Sequence, residues 1–162
     1  MSAVDKNQAI IDFLITCPAI RDNPLFFNFL NAQDDNKQII TQTNDNSINE
    51  KYVDGSVLKR YSCSVIDFRS VAYQPIPKVL GYTSENVEEY FDVQEIMNWV
   101  NEQADLGNYP DFGTECIIDE MRTTAENPNL DGVDTSLSPA LAKYSMSIQI
   151  DYLDISKAIW NN

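Results

Sequence analysis

The chain has 162 residues, 43% of them hydrophobic and 22% charged, and it carries a formal net charge of −14 with no histidine. These totals predict one folded domain over residues 1–162 and exclude global disorder. Apolar runs such as 25–27 are far shorter than the roughly 20 residues of a membrane helix, and the N-terminus lacks a signal-peptide pattern, so we expect no membrane association.

The first half of the chain predicts one helix followed by strands. In order, the pattern indicates an amphipathic helix at 3–16, β-prone runs at 25–30 and 37–43, a turn at 33–36, a polar loop at 44–49 and a long central strand at 57–73. Within the central strand the apolar alternation changes phase, which predicts a bulge or bend near Val65.

The second half predicts a helix and a hairpin. The helix begins at Asp92 or nearer Ser84 and ends at Gly107, because apolar residues repeat there at helical spacing. Strands follow at 115–123 and 143–153, and the second alternates strictly between apolar and polar residues, as a strand with one buried face does. The predicted fold is therefore α+β, with an antiparallel sheet packed by two main helices.

Between these two strands lies a long connection at 125–142, which we call the hairpin tip. It contains Pro128 and Pro139, which cannot donate to a strand ladder, and it offers few apolar residues. Loops of this length in a compact domain are usually functional. We therefore expect the tip to be a contact arm outside the core.

Charge is distributed unevenly. Residues 85–134 contain fourteen acidic residues and one basic residue, Arg122, a net charge of −13, whereas residues 51–78 contain five basic and two acidic residues, a net charge of +3. Two interpretations remain open. One is a solvated acidic surface that keeps the protein soluble, and the other is a molecule with an acidic and a basic face that meets its neighbours head to tail.

The residues that most enzymes rely on are absent or scattered. Without histidine the usual triads and most zinc sites are excluded, and the five glycines form no phosphate-binding loop. Asp111 and Glu120 faintly resemble the PD-(D/E)xK nuclease pattern, but Arg122 stands in place of its lysine and cannot give up a proton. We predict no enzymatic activity, no cofactor and no metal. The cysteines (Cys17, Cys63 and Cys116) predict reduced thiols in a reducing cytosol.

The order of motifs resembles the tail-terminator, or tail-completion, proteins of long-tailed bacteriophages, which are often labelled minor capsid proteins. The resemblance covers nearly the whole chain and rests on an ordered set. Its members are a helix ending in Thr16-Cys17-Pro18, the turn Asp54-Gly55-Ser56 that opens a long strand containing Arg69, a helix with Asp92 and Trp99, and a closing strand from Tyr144 to Tyr152.

The resemblance implies a structural protein of the virion, made in the host cytoplasm and placed at the head-proximal end of the tail. Six copies would form a ring that caps the finished tail tube, contacts the tube protein and the head-completion or connector protein, and joins tail to head. An acidic channel would repel the phosphate backbone, so genomic DNA would pass through without specific binding.

Six residues are candidates for contacts between subunits. Three are cations of the central strand at 57–73, which we call the basic strand, and three are apolar residues of the hairpin tip: Lys59, Arg60, Arg69, Leu130, Val133 and Leu137. The alternative from another functional class is a soluble inhibitor that mimics DNA, in which the acidic helix imitates a row of phosphates. The basic strand and the spread of the acidic residues over several elements speak against a mimic.

Overall fold

The structure is a computed structural model that describes residues 5–21, 24–29, 37–41 and 49–161. Its described part is an α+β fold built on one antiparallel sheet, which confirms the fold class predicted from the sequence. The turn predicted at 33–36 and most of the loop at 44–49 lie outside the described residues.

Three helices occur in the described residues: α1 (Lys6–Leu14), α2 (Pro18–Arg21) and α3 (Glu85–Asp105). The side chain of Asp5 caps α1 by accepting a hydrogen bond from the backbone of Asn7. Ser84 caps α3, so the helix begins at the earlier of the two predicted positions. It ends where Gly107 adopts a φ of 72°, a conformation that glycine tolerates best.

The strands are β1 (Leu25–Phe27), β2 (Lys37–Thr41), β3 (Asn49–Lys51), β4 (Val57–Val71), β5 (Cys116–Thr123), β6 (Asn129–Asp134) and β7 (Ala140–Asp154). The two longest, β4 and β7, pair antiparallel over all 15 residues and form the centre of the sheet. β2 and β3 pair along the outer edge of β4, while β5 and β6 pair one after the other along the outer edge of β7. β1 adds to β2 in parallel.

The bulge predicted near Val65 is wrong. The register of β4 against β7 runs without interruption, and residues 65–69 are all buried. The apolar phase changes because both faces of the strand are covered there, so an apolar residue fits on either side. The irregularities fall in β5, between Ile118 and Glu120, and in β6, between Leu130 and Gly132.

The core lies between one face of the sheet and the helices α1 and α3. We call this the helix face, and the opposite side the second face. Buried residues on the helix face and its helices include Ile10, Leu14, Cys63, Val65, Val93, Ile96, Met97, Val100, Met146, Ile148 and Ile150. Tyr61 donates to Asn7 over 2.8 Å, and Phe13 stacks on Trp99 at 4.9 Å, so α1 is held to both the sheet and α3. The second face is polar at its centre, where Ser64 and Ser147 are hydrogen-bonded.

The hairpin tip is shorter than predicted. Residues 129–134 form β6 and 140–142 belong to β7, which leaves a connection of only 135–139 between them. Pro128, Leu141 and Ala142 are buried, so the expectation that the whole of 125–142 lies outside the core is wrong for these three. β6 itself is exposed at all six positions. The sequence of β6 does not predict a strand, because the strand is paired along one edge only and neither of its faces is covered. Apolar and polar residues therefore do not alternate along it.

The Asp-Gly-Ser turn between β3 and β4 holds the C-terminal segment. The backbone N–H of Ile159 donates to the carbonyl oxygen of Asp54 over 2.7 Å, and the indole of Trp160 donates to its carboxylate over 2.9 Å. Gly55 has a φ of 91°, and a Cβ atom there would overlap the carbonyl oxygen of Lys157. The turn requires glycine for both reasons.

We expect Gly55→Ala to destabilise the fold, since it combines backbone strain with this overlap. Gly81→Ala is the matched control: its φ is 83°, but its Cβ would meet nothing within 4 Å. Urea unfolding should show a loss of about 1–2 kcal/mol for Gly81→Ala, from backbone strain alone, and a clearly larger loss for Gly55→Ala. Equal losses would mean that the contact with Lys157 does not constrain the turn.

Candidate interaction surfaces

Two cations of the basic strand are paired with carboxylates on β7. The Nζ atom of Lys59 lies 2.7 Å from an oxygen of Asp154, and the guanidinium of Arg60 contacts both oxygens of Asp151 at 2.6 and 3.1 Å. The antiparallel register places Arg60 directly opposite Asp151. Lys59 faces Tyr152 and reaches Asp154 two residues further along β7, so one pair is directly cross-strand and the other is diagonal.

The third cation is buried under the N-terminal half of α3. Arg69 is 9% exposed and makes two hydrogen bonds to Asp67, which is fully buried. From α3, Glu89 accepts a hydrogen bond from Arg69 at 3.2 Å, and Asp92 lies 3.7 Å away. Burial alone would lower the pKa of Arg69, but Asp67, Glu89 and Asp92 outweigh it and raise the pKa above its usual value. The guanidinium therefore links the sheet to the helix.

The cations of β4 thus neutralise carboxylates of their own subunit. Arg122 extends this pattern on the second face, where it pairs with Glu120 and approaches Asp151 to 3.5 Å. The contact role of Lys59, Arg60 and Arg69 between subunits stays a prediction, and the burial of Arg69 does not support it. The interpretation of a separate basic face depended mainly on these three cations, and their pairing within the subunit speaks against it.

The acidic residues, by contrast, point outward. Of the fourteen between 85 and 134, every one is exposed except Glu89, which is half-buried beside Arg69. Six of the exposed ones lie on α3 and follow one another at intervals of three, four or seven residues: Glu85, Glu88, Asp92, Glu95, Glu102 and Asp105. Such spacing places them along one side of the helix, away from its buried stripe. We call this row the acidic stripe.

Of the predicted contact residues in the hairpin tip, all three are exposed. Leu130 and Val133 project from β6, and Leu137 lies in the connection that follows it. The beginning of the tip is fastened to α3, because Tyr90 donates to the carbonyl oxygen of Pro128 and Gln94 donates to Asn127 over 3.0 Å. The tip therefore presents its apolar residues from a fixed strand rather than from a free loop.

A second apolar surface lies between β4 and α3, which sequence reasoning treated only as the end of the strand. Residues 72–84, which we call the arm, form no helix or strand, and every residue from 73 to 83 is exposed. Five of them are large apolar or aromatic residues: Tyr73, Ile76, Val79, Leu80 and Tyr82. Contiguous exposed apolar surface of this kind typically marks an interaction site. The available signal was a run with Pro75 and Pro77 that alternates with apolar residues and carries a single charge, Lys78.

The root of the arm is fixed although the arm itself is exposed. The side chain of Asn86, in the first turn of α3, accepts a hydrogen bond from the N–H of Ala72 at 2.9 Å and donates to its carbonyl oxygen at 2.8 Å. Both backbone groups of Ala72 are therefore satisfied without a strand partner. The arm leaves the sheet from a defined position beside α3.

The described ranges contain neither a metal-binding cluster nor a membrane-spanning helix. No cluster of three or more cysteine or acidic side chains there is arranged to hold a metal ion, and none of their helices is long and apolar enough to cross a bilayer. The three cysteines are not joined in disulfides; Cys17 and Cys63 are buried, and burial raises the pKa of Cys63 to about 12. Comparison of the sequence with protein-family models and with curated proteins finds no match.

We expect Arg69→Met to destabilise the subunit by about 3–5 kcal/mol, since it leaves the carboxylate of Asp67 buried without its cation. The double variant Asp67→Leu/Arg69→Met should recover most of this loss, because it removes both charges together. Chemical denaturation of the two variants and the wild type measures the difference. A single variant as stable as the wild type would contradict the role of Arg69 as the link between sheet and helix.

Acid should destabilise the protein through the β4–β7 ion pairs. Burial alone would raise the pKa of Asp154, but hydrogen bonds from Lys59 and Ser156 lower it from 3.8 to about 2. A carboxylate whose pKa is lowered by folding stabilises the fold at pH values above its pKa in the unfolded chain. For Asp154 this stabilisation is lost as the pH falls from 3.8 to about 2. The pKa of Asp151 is lowered by hydrogen bonding to Arg60, which acts in the same direction.

The variant Lys59→Met tests this dependence. Urea midpoints recorded across that pH range should fall less steeply for Lys59→Met than for the wild type, because Asp154 no longer has its cationic partner. Lys78→Met is the control, since it removes the same charge from the exposed arm. The three proteins should otherwise have the same circular dichroism spectrum. Parallel slopes for all three would rule out a contribution from the Lys59–Asp154 pair.

Proposed function

We propose that the protein is a tail terminator of a long-tailed bacteriophage, a structural subunit that assembles into a ring at the head-proximal end of the tail. The observation that carries the proposal is the presence on one subunit of two different surfaces, the acidic stripe and the apolar arm. One suits a wall that faces DNA and the other suits contacts between proteins. The ordered motifs of the sequence, from Thr16-Cys17-Pro18 to Tyr152, support the same assignment.

The acidic stripe suits the lining of a channel for DNA. α3 has 21 residues and therefore extends for roughly 30 Å, which is long enough to cross the thickness of a protein ring. A ring repeats the stripe in every subunit, so the channel would present several parallel rows of carboxylates. These rows repel the phosphate backbone and prevent the genome from adhering during passage.

The arm and the exposed side of β6 suit contacts with protein partners. Together they present apolar residues that the subunit does not cover, among them Leu80 on the arm and Leu130 on β6. A ring at the head–tail junction needs at least three such contacts: with its own copies, with the tail tube protein and with the head-completion or connector protein. No cofactor or enzymatic activity is part of this role.

A DNA-mimicking inhibitor remains the second candidate, and two observations favour it. The acidic stripe lies in one row on one helix, and the cations Lys59, Arg60 and Arg69 are paired within the subunit, so they do not interrupt the negative surface. A mimic would act as a monomer or small oligomer on a DNA-binding enzyme. It has no need for the exposed apolar arm, which is why we favour the ring.

Electron microscopy of the purified protein tests the assignment directly. We expect closed rings of about six subunits with a central hole, because one subunit surface binds a different surface on the next copy. In virions of the phage that encodes the chain, gold-labelled antibody should bind once per particle, at the junction of head and tail. Label along the tail, at its distal tip or nowhere on the particle would contradict the proposed function.

The two candidates separate in a competition experiment. The variant Glu88→Gln/Glu95→Gln/Glu102→Gln neutralises half of the acidic stripe, and Glu115→Gln/Asp119→Asn/Glu126→Gln removes the same charge from exposed positions elsewhere. If the protein is a tail terminator, neither it nor its variants should inhibit DNA binding by a nuclease at physiological salt. Inhibition by the wild type that is lost only in the stripe variant would favour the mimic.

A further inference from the structure

A cleft on the second face of the sheet lies close to the end where β4 ends and β7 begins. It has a volume of about 640 Å³, within the range of roughly 300–1,000 Å³ that is usual for pockets that bind small ligands. Its lining comes from three strands. Its apolar members are Phe68 and Leu141, which are almost fully buried, and Val133, which is exposed. Asp131, Asp134 and Lys143 supply the polar rim, with a net charge of −1.

The arm has the complementary composition. In its central segment, 76–80, Ile76 precedes Lys78, and Val79 and Leu80 follow it. Lys78 is the only charged residue between 72 and 84. The arm forms no helix or strand but is turned by local backbone hydrogen bonds from Val79 to Pro77 and from Tyr82 to Val79, and its two prolines limit the freedom that binding would have to remove. Apolar side chains fit the floor of the cleft, and a lysine fits its acidic rim.

The arm of a subunit does not enter the cleft of the same subunit. The hydrogen bonds between Asn86 and Ala72 hold the root of the arm against α3, which packs on the helix face. The cleft opens on the second face, and no residue of the described arm lines it. The root of the arm and the cleft therefore lie on opposite sides of the sheet, an arrangement that keeps the two surfaces apart within one copy and leaves them for contact between copies.

We propose that residues 76–80 of one copy bind in the cleft of the next copy. The contact is head to tail, since the arm and the cleft are different surfaces, and repetition of such a contact closes a ring when the rotation between copies permits it. Closure of the contact into a ring rests on the proposed function, and the contact identifies the surfaces that join the subunits of that ring. Lys78 pairs with Asp131 and Asp134 of the neighbour, and Ile76 and Leu80 contact the neighbour's Phe68 and Leu141.

Gly132 provides a way to close the cleft without unfolding the protein. It lines the cleft opposite Lys143, its φ is not positive, and a Cβ atom there would meet nothing within 4 Å. Gly132→Trp therefore fills the cleft, whereas Ile76→Asp/Leu80→Asp disables the arm. Phe91→Asp is the matched control, because Phe91 is also a large exposed apolar residue but lies on α3. Circular dichroism and unfolding midpoints confirm that each variant is folded.

Light scattering coupled to size exclusion then tests the contact. We expect the wild type and Phe91→Asp to form the same oligomer, and the arm variant and the cleft variant each to be monomeric. An equimolar mixture of these two variants should form a dimer and nothing larger, because one intact arm and one intact cleft remain per pair. Lys78→Glu should weaken association by about tenfold or more, and Asp131→Lys/Asp134→Lys in the same chain should restore it.

Three results would overturn the proposal. They are arm and cleft variants that assemble like the wild type, a mixture of the two that stays monomeric, and a wild type that is monomeric up to about 1 mM, the weak end of specific association. The first leaves the proposed function intact, because the ring would then use another surface. Conversely, arm-dependent rings without label at the head–tail junction would remove the proposed function and retain the contact.

Discussion

The uninterrupted pairing of β4 with β7 is the constraint on which the rest of the structure depends. It sets Arg60 opposite Asp151, brings Lys59 to Asp154 and carries Arg69 to the site where α3 packs. A slip of one residue would turn the core residues of β4 toward the second face and separate every one of these pairs. The same ladder fixes the start of the arm, since Val71 is the last paired residue of β4. The ion pairs that the basic residues make with carboxylates of the same subunit therefore depend on this register.

The sequence predicted those elements whose pattern is local. β7 was recognisable because Tyr144, Met146 and Ile148 alternate with polar residues, and α3 because its apolar residues repeat at helical spacing. The bulge at Val65 was wrong because a strand buried on both faces has the same composition as a strand with a bulge. β6 was missed because an exposed edge strand carries no periodic signal.

The candidate surfaces were harder to predict, because they depend on tertiary pairing. Charge counting showed a basic strand, but only the register shows that Asp151 and Asp154 neutralise it. The acidic stripe was visible as composition along the helix, yet its separation from the cations required the fold. The arm was overlooked since Pro75 and Pro77 also mark an ordinary strand end, and nothing in the local sequence states that no element covers it.

The outer edge of β7 has a further consequence for the behaviour of the free subunit. β5 and β6 share that edge, and each is interrupted by an irregular register, at Ile118/Glu120 and at Leu130/Gly132. Carboxylates stand beside both interruptions. An edge that is short, twisted and negatively charged is a poor template for another strand. The irregular register and the carboxylates therefore make β5 and β6 poor sites for a strand of another chain to pair, and this protection belongs to the subunit itself.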